Sequence, residues 1–162
     1  MNPFLARLEP LYQQIWETIL EYEPIFATQC GDHRYDNRLP LVSEAGYARQ
    51  LEQMRAFQAA LEQIPAAELP ADSQISREVL ARILENITRG LEQHTYRFSI
   101  SQQGGFYSEF VDLAEYAPFN TLKDYENFLA RLAGFRAYAQ DYIELLRGAL
   151  RQGDIHTRVA MP

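Results

Sequence analysis

The sequence predicts an all-α fold of about five helices in an antiparallel, bundle-like arrangement with one long aromatic loop, as a fragment of a larger helical protein. Apolar residues recur at steps of three and four along most of the chain, which is the spacing of one helical face. Pro24, Pro65 and Pro70 lie between these periodic segments. The alternation typical of an extended segment is confined to "YRFSIS", residues 96–101.

The composition fits one folded domain spanning residues 1–162. Hydrophobic residues make up 47% of the 162 residues and charged residues 23%, which is ordinary for a globular protein. A chain of this length buries roughly two-thirds of the surface that its unfolded form exposes. No internal repeat or low-complexity tract indicates a second domain.

The first two predicted helices precede Pro65. The first ends before Pro24, and Ser43 is a plausible N-cap of the second because its hydroxyl can accept a hydrogen bond from a free backbone amide. The apolar face of the first helix comprises Phe4, Leu8, Leu11, Ile15, Ile19 and Tyr22. That of the second comprises Tyr47, Leu51, Met54, Leu61 and Ile64.

The third predicted helix follows the loop between Pro65 and Pro70, with Asp72 or Ser73 as its cap, and continues to Gln93. Its apolar face comprises Ile75, Val79, Ile83, Ile87, Leu91 and His94. After "YRFSIS", the glycine pair 104–105 breaks the pattern, and "FYSEFVDLAEYAPF" keeps no long period. We expect an aromatic loop there, with at most one helical turn.

The last two predicted helices meet at Gly134. "TLKD" fits a capping box, in which Thr121 caps the amide of Asp124 and the Asp124 carboxylate reaches back. Leu122, Tyr125, Leu129 and Leu132 form the stripe of the fourth helix. Tyr138, Tyr142, Leu145 and Ala149 form that of the fifth, which ends at Gly153, a natural C′ residue.

Charge and cysteine content exclude several classes of partner and compartment. The net charge is −7, whereas binding to phosphate groups needs clustered cations, so we expect neither nucleic acid nor an anionic membrane as partner. A single cysteine, Cys30, allows no intrachain disulfide, and we expect it to be a small packing residue. No apolar run is long enough to span a bilayer and no signal peptide is evident, which favours a cytoplasmic protein.

The sequence predicts no catalytic residue and no metal ligand in this chain. Its three histidines, in "GDHRYD", "EQHTYR" and "DIHTRV", are widely separated, and none belongs to an H-E-x-x-H segment. Zinc needs three or four convergent ligands, so we expect the chain to bind none. We interpret His94 as a core or boundary residue. Glu109, Asp112 and Glu115 could share one helical face, most simply a solvated one.

The segment "GDHRYDNRLP", residues 31–40, is the densest group of polar side chains. In the structural interpretation, Asp32 and Asp36 accept local backbone amides and pair with Arg34 or Arg38, so the loop orders itself. In the functional interpretation, the loop presents His33, Arg34 and Tyr35 to a cleft as substrate-binding residues. The residues alone leave both open and favour the structural one.

A family resemblance then adds to this interpretation. "FATQCGDHRYDNRLPLVSEAGYARQL", residues 26–51, resembles the opening of the bacterial domain-of-unknown-function 885 family, A-T-x-x-G-D-H-R-Y-D-D-R-L-P-D-x-S. "QQGGFYSEF", "DYENFLARLAGF" and "LLRGALRQGDIHTRV" are similar to later family stretches in the expected order. The chain departs from the family at Tyr107, where the pattern tends to have histidine.

The resemblance implies a role within a longer protein. The family is similar to helical zinc peptidases of the thermolysin-related superfamily, and its zinc-binding segment lies far downstream of these stretches. It therefore implies zinc as cofactor of the full-length protein, none in this chain, and a peptide as possible substrate. The tail "DIHTRVAMP" likewise looks like the beginning of a further segment.

Two functional hypotheses follow. The leading one is the N-terminal helical portion of a zinc-dependent peptidase-like protein, inactive alone, whose partner is the remainder of its own chain. The alternative is a stand-alone helical module that binds a protein partner or forms a homo-oligomer through its apolar stripes. In the leading hypothesis the loop at residues 31–40 lines a substrate channel.

Overall fold

The computed structural model describes residues 2–101 and 104–155, and within these ranges the protein is all-α, as predicted. Short 3₁₀ turns form at His33–Tyr35, Ala66–Glu68 and Thr95–Phe98. The described part holds no strand, only one isolated bridge between Ser101 and Gly104. Six α-helices lie in these described ranges: α1 (Pro3–Tyr22), α2 (Pro24–Gln29), α3 (Glu44–Glu62), α4 (Ala71–Glu92), α5 (Phe106–Tyr116) and α6 (Leu122–Gln152).

The described residues group into two compact units. The first unit contains residues 2–19 and 47–94, and the second contains residues 20–46, 95–101 and 104–155. The core of the first unit includes Leu8, Ile15, Met54, Leu61, Ile64 and Leu84. The candidate loop at residues 31–40 lies entirely within the second unit.

The buried face of α4 differs from the predicted one. Exposure falls steadily along the predicted stripe, from 66% at Ile75 to 53% at Val79, 42% at Ile83 and 9% at Leu91. Successive steps of four residues advance about 40° beyond a full turn at 3.6 residues per turn, so the stripe winds around the helix. Its beginning and its end consequently lie on different sides of α4.

The side chains that α4 directs to its unit include Thr88 and Arg77. The Thr88 hydroxyl donates to Oε1 of Gln58 on α3 at 3.1 Å. Nε of Arg77 donates to the carbonyl oxygen of Ile64 at 2.7 Å, and Nη2 donates to that of Leu61 at 3.1 Å. Arg77 thus binds one carbonyl group in the last turn of α3 and one just after the helix, where carbonyl groups lack partners within the helix.

Several predicted helix ends are confirmed. The amide of Gly46 donates to Oγ of Ser43 at 3.0 Å at the start of α3. Thr121 and Asp124 form the predicted capping box of α6, and Gly153 follows the helix with a φ of 85°. The predicted cap of α4 by Asp72 or Ser73 is wrong, because the helix begins at Ala71 after Pro70, which makes no side-chain cap hydrogen bond.

The predicted bend at Gly134 is wrong, and the fourth and fifth predicted helices are one 31-residue helix, α6. Gly134 is not among the glycines with positive φ. Continuity places the two predicted stripes on different faces of α6. Tyr138, Leu145 and Ala149 are buried, whereas Leu122, Tyr125, Leu129 and Leu132 are exposed.

The aromatic segment predicted as a loop is instead the helix α5. Its aromatic side chains pack on those of α6, which supplies the stabilisation that its local pattern does not indicate. Phe106 stacks on Tyr142 with ring centroids 4.3 Å apart, and Phe110 stacks on Phe135 at 4.0 Å. The predicted extended segment also begins with a 3₁₀ turn, Thr95–Phe98.

Arg97, in that turn, is buried between two acidic residues of the second unit. Its Nε donates to Glu44 at 2.9 Å and its Nη1 donates to Asp154 at 2.6 Å. The hydroxyl of Tyr96 donates to the same Glu44 carboxylate at 2.7 Å, and burial together with this contact raises the pKa of Tyr96 to about 12. This cluster joins the start of α3 to the segment that follows α6.

Within the described residues, no helix has the length and apolarity that crossing a membrane requires.

We expect Gly134→Ala to stabilise the protein, because Ala is favoured over Gly inside a continuous helix by about 0.5–1 kcal/mol. The added Cβ would meet Cδ1 of Leu39 at 3.5 Å, which is ordinary contact. Gly153→Ala is the matched control and should destabilise the protein by about 1–2 kcal/mol, since its φ of 85° is left-handed. Urea denaturation measures both changes. Destabilisation by Gly134→Ala would indicate a bent helix.

Candidate functional site

The loop at residues 31–40 begins where α2 ends in a Schellman motif. The amide of Asp32 donates to the carbonyl oxygen of Ala27 at 2.9 Å, and that of Gly31 donates to Thr28 at 3.0 Å. Gly31 has a φ of 82°, which only a residue without Cβ adopts at little cost. The glycine of "GDHRYD" therefore sets the direction in which the loop leaves the helix.

Asp32 caps the 3₁₀ turn and pairs with Arg34. Its carboxylate accepts the backbone amide of Arg34 at 3.1 Å, and Nη2 of the same residue lies 2.6 Å from Oδ2. The guanidinium side chain is the main reason that the pKa of Asp32 falls to about 2. Both members of the pair are partly exposed, so we expect it to order the loop locally.

Asp36 is buried and holds two side chains. Thr28 of α2 donates its hydroxyl to Oδ1 at 2.6 Å, and Nδ1 of His33 lies 2.9 Å from Oδ2. The structure therefore gives Asp36 side-chain partners where the sequence predicted backbone amides. Since an ionised carboxylate only accepts, this geometry requires the proton of neutral His33 to be on Nδ1.

Arg131 of α6 connects the loop to the rest of the second unit. Its side chain is 1% exposed, and Nε donates to the carbonyl oxygen of Arg38 at 2.8 Å. Nη2 lies 2.7 Å from the hydroxyl oxygen of Thr28, 2.9 Å from the carbonyl oxygen of Pro24 and 3.1 Å from that of Tyr35. One guanidinium thus holds the start of α2 and both halves of the loop.

The charge of Arg131 is balanced by Asp36, whose Oδ1 lies 3.9 Å from Nη2. Burial lowers the pKa of Arg131, and the negative charge of Asp36 opposes that effect. Carbonyl oxygens of Arg38, Pro24 and Tyr35 accept from Nε and Nη2, which offsets the loss of hydration that burial imposes on an arginine. The loop is consequently fixed by a buried network, with Asp36 and Arg131 at its centre.

The remaining loop residues lie at the surface. The guanidinium carbons of Arg34 and Arg38 lie 5.4 Å and 5.5 Å from the centre of the Tyr35 ring, within range of a cation–π contact. The side chain of His33 is 50% exposed and that of Arg34 55% exposed. The structure therefore brings His33, Arg34 and Tyr35 together on a rigid base. Nε2 of His33 is the ring nitrogen that remains to meet a ligand.

Two expectations about other candidate residues are wrong. Cys30 is exposed and is not a packing residue. His94 is also exposed, because it follows α4 with a φ of 53° and has left the apolar face of the helix. Glu109, Asp112 and Glu115 lie on α5 and are all exposed. Tyr107 is 47% exposed, and the third histidine, residue 156, lies outside the described residues.

Arg131 was not predicted from the sequence, although its side chain is the largest fully buried one among the described residues. Its position did carry a signal, because counting back seven residues from Leu145 gives Tyr138 and then Arg131. On one continuous helix these three positions share a face. The predicted bend at Gly134 concealed that relation.

Glu23 is a second residue that the sequence analysis missed. Solvent reaches this residue, yet surrounding protein atoms enclose much of its carboxyl and raise its pKa to about 7, with a further contribution from the negative charge of Glu109 on α5. A carboxyl group with a pKa near neutrality can exchange a proton at ordinary pH. In the described part of the chain, no three His, Cys, Asp or Glu side chains are grouped so that they could hold a metal ion.

Residues 24–162 match the sequence profile of a family described as "Bacterial protein of unknown function (DUF885)". The chain belongs to this family. The matched region begins at the first residue of α2 and contains the loop, Asp36 and Arg131. No curated protein and no solved structure matches the chain.

We expect Arg131→Met to destabilise the protein by about 3–5 kcal/mol, because it leaves Asp36 as a buried charge without its counter-ion. The matched control is Arg38→Met in the same loop, where the lost contact with Tyr35 should cost about 1 kcal/mol or less. Urea denaturation gives both free energies of unfolding. Equal effects of the two substitutions would show that the buried network does not hold the loop.

We expect Glu23 to make the protein less stable as the pH rises. Its pKa is raised from 4.5 to about 7, so the folded state holds this proton more tightly than the unfolded chain does. The resulting stabilisation is complete below about pH 4.5 and is lost as the pH rises through about 7. Asp32 does not interfere, since its lowered pKa affects stability only as the pH falls toward about 2.

Urea denaturation at pH 5 and pH 8 measures this effect. Glu23→Gln should reduce the difference between the two free energies of unfolding, because the amide stays neutral at both pH values. Glu21→Gln, at an exposed site on α1, is the matched control and should leave the difference unchanged. An unchanged difference in Glu23→Gln would refute the assignment of this titration to Glu23.

Proposed function

We propose that this chain is the N-terminal helical portion of a zinc-dependent peptidase-like protein and contributes substrate-binding residues rather than the catalytic centre. Membership of the family over residues 24–162 supports this proposal. The peptidase-like activity is inferred from the resemblance of that family to helical zinc peptidases. The supporting observation in this chain is the loop at residues 31–40. It has a buried, charge-balanced base and a polar outer surface.

The loop suits recognition because its outer side chains are oriented by contacts beneath them. Asp36 accepts a hydrogen bond from Nδ1 of His33, which leaves Nε2 to accept one from a substrate amide, or to donate one when the ring is protonated. Groups that are held in place before binding lose less conformational entropy when a ligand arrives. A peptide offers backbone amides and carbonyl groups that match this nitrogen.

In this proposal, the zinc ion and its ligands belong to another portion of the protein. The described residues hold no suitable group of ligands, and the resemblance assigns the zinc-binding segment to a later stretch. The zinc would supply the Lewis acid that activates water. His33, Arg34 and Tyr35 would position the peptide.

A second candidate function is a helical module that binds a protein partner or a second copy of itself. The observation that favours it is the number of large apolar side chains on the surface. On α4 these are Ile75, Val79 and Ile83, and on α6 they include Leu122, Leu129 and Leu150, which are more than 60% exposed. Exposed apolar surface of this extent is typical of an interaction site.

The leading proposal is tested by peptide hydrolysis in the full-length product of the gene, assayed with zinc and a fluorogenic peptide library. His33→Asn is the informative substitution, because its side-chain amide can still donate to Asp36 while Nε2 is removed. We expect kcat/KM to fall about tenfold, the value of one hydrogen bond to substrate, with little change in the melting temperature.

His94→Asn is the matched control for this experiment. It makes the same chemical change at an exposed histidine outside the loop, and asparagine tolerates the positive φ found there. We expect its activity to equal that of the unmodified protein. Absence of peptide hydrolysis, or equal losses in the two variants, would contradict the proposal.

A further inference from the structure

The outer face of α6 carries an apolar heptad pattern along the whole helix. Its residues follow alternating steps of three and four, and we call them the outer stripe. They are Leu122, Tyr125, Leu129, Leu132, Arg136, Ala139, Ile143, Leu146 and Leu150. Eight of these nine residues are apolar, and none of the nine is buried.

The outer stripe is separate from the face that α6 uses inside the second unit. That inner face contains Arg131, Tyr138, Leu145 and Ala149, which are all buried. On the outer stripe, Ala139 and Leu146 are partly exposed and the other seven residues are exposed, with 76% at Leu122, 61% at Leu129 and 65% at Leu150. An average spacing of 3.5 residues maintained over four heptads is the pattern that packs against another long helix.

We propose that the outer stripe binds the outer stripe of a second copy of this chain, with the two α6 helices antiparallel. This inference deepens the second candidate function by naming the surface and the partner. It does not depend on the peptidase-like role.

The charges beside the outer stripe favour an antiparallel pair of identical helices. In the heptad, Glu126, Ala133, Gln140 and Arg147 occupy the exposed flanking position. The acid lies near the start of α6 and the base near its end. In an antiparallel pair each Glu126 therefore lies close to Arg147 of the other copy, whereas a parallel pair would leave these two residues at opposite ends of the interface.

Glu126 and Arg147 each contact an oppositely charged residue on their own helix. These contacts lie at the surface, so both side chains can also reach a second copy. Oε2 of Glu126 lies 3.6 Å from Nζ of Lys123, and Nη1 of Arg147 lies 2.7 Å from Oε1 of Glu144. All four side chains are more than half exposed. Such surface pairs are weak, so a second copy can replace them or extend them.

The register that pairs these charges also aligns the apolar layers. It places Leu129 opposite Leu146, and Leu132 opposite Ile143. Arg136, the one charged residue of the outer stripe, then faces Ala139, which leaves room for the arginine side chain to reach solvent. The same register overlaps almost the full length of both helices, so charge, layer packing and helix length agree.

The available area predicts a reversible dimer. A helix of 31 residues is about 45 Å long, and a contact strip about 10 Å wide covers roughly 450 Å² of each copy. The total, roughly 900 Å², approaches the lower end of specific interfaces, near 1,200 Å². We therefore expect association at micromolar concentrations.

Sedimentation equilibrium of the chain from about 1 to 200 µM tests the proposal, and we expect a monomer–dimer equilibrium in this range. Leu129→Lys should raise the dissociation constant at least about tenfold, because it places a charge in an apolar layer. Val79→Lys is the matched control, since it makes a similar change at an exposed apolar site on α4 and should leave the constant unchanged. Circular dichroism checks that both variants fold.

Charge exchange tests the predicted register. Glu126→Arg and Arg147→Glu should each weaken the dimer, and the double variant should recover part of the loss. In a Cys30→Ser background, Ala133→Cys with Gln140→Cys should form a reducible dimer, because these positions face each other only in the antiparallel pair. Either cysteine alone is the control and should cross-link little.

A monomer at all concentrations would overturn the inference, and the outer stripe would then belong to a different partner. A dimer that is insensitive to Leu129→Lys but lost in Val79→Lys would also overturn it, while leaving the second candidate function intact. Neither result bears on peptide hydrolysis by the full-length product.

Discussion

The contact between Arg131 and the segment from Pro24 to Arg38 is the interaction on which the candidate site depends. A guanidinium that is 1% exposed loses its hydration, and it is stable there only because Asp36, Thr28 and backbone carbonyl oxygens replace the water. The geometry of the loop is therefore determined by the donors of one side chain on α6. Any movement of the loop would leave buried polar groups without partners, which makes it a rigid platform for the side chains above it.

The same residue determines how α6 is used. Because Arg131 faces inward with Tyr138 and Leu145, the leucines of the outer stripe must face outward on a straight helix. α6 thus has two apolar faces, an inner one that packs within the second unit and an outer one at the surface. The inner face carries the aromatic contacts with α5 and the polar network of the loop, and the outer face is available to a partner.

The polar groups of the second unit have distinct roles. Asp36 and Arg131 are structural, since both are buried and satisfied by neighbouring groups. His33 is connected to that structure by one ring nitrogen and is half exposed, which is the arrangement expected of a positioned binding group. Glu23 differs again, because enclosure by protein atoms and the charge of Glu109 bring its pKa to about 7.

The sequence by itself determined the all-α class, the cap at Ser43, the capping box at Thr121 and the end of α6 at Gly153, because these depend on local spacing and local hydrogen bonds. It also determined the family to which the chain belongs, because the order of residues matches the family profile over residues 24–162. It also indicated the polar loop at residues 31–40. Only the tertiary structure decided that α5 is a helix, that α6 continues through Gly134, which faces of α4 and α6 are buried, and that Asp36 binds Thr28 and His33. The physical reason is that an apolar stripe looks the same whether it packs inside the protein or lies on its surface. The partners that hold the buried Arg131, moreover, lie about 100 residues away along the chain.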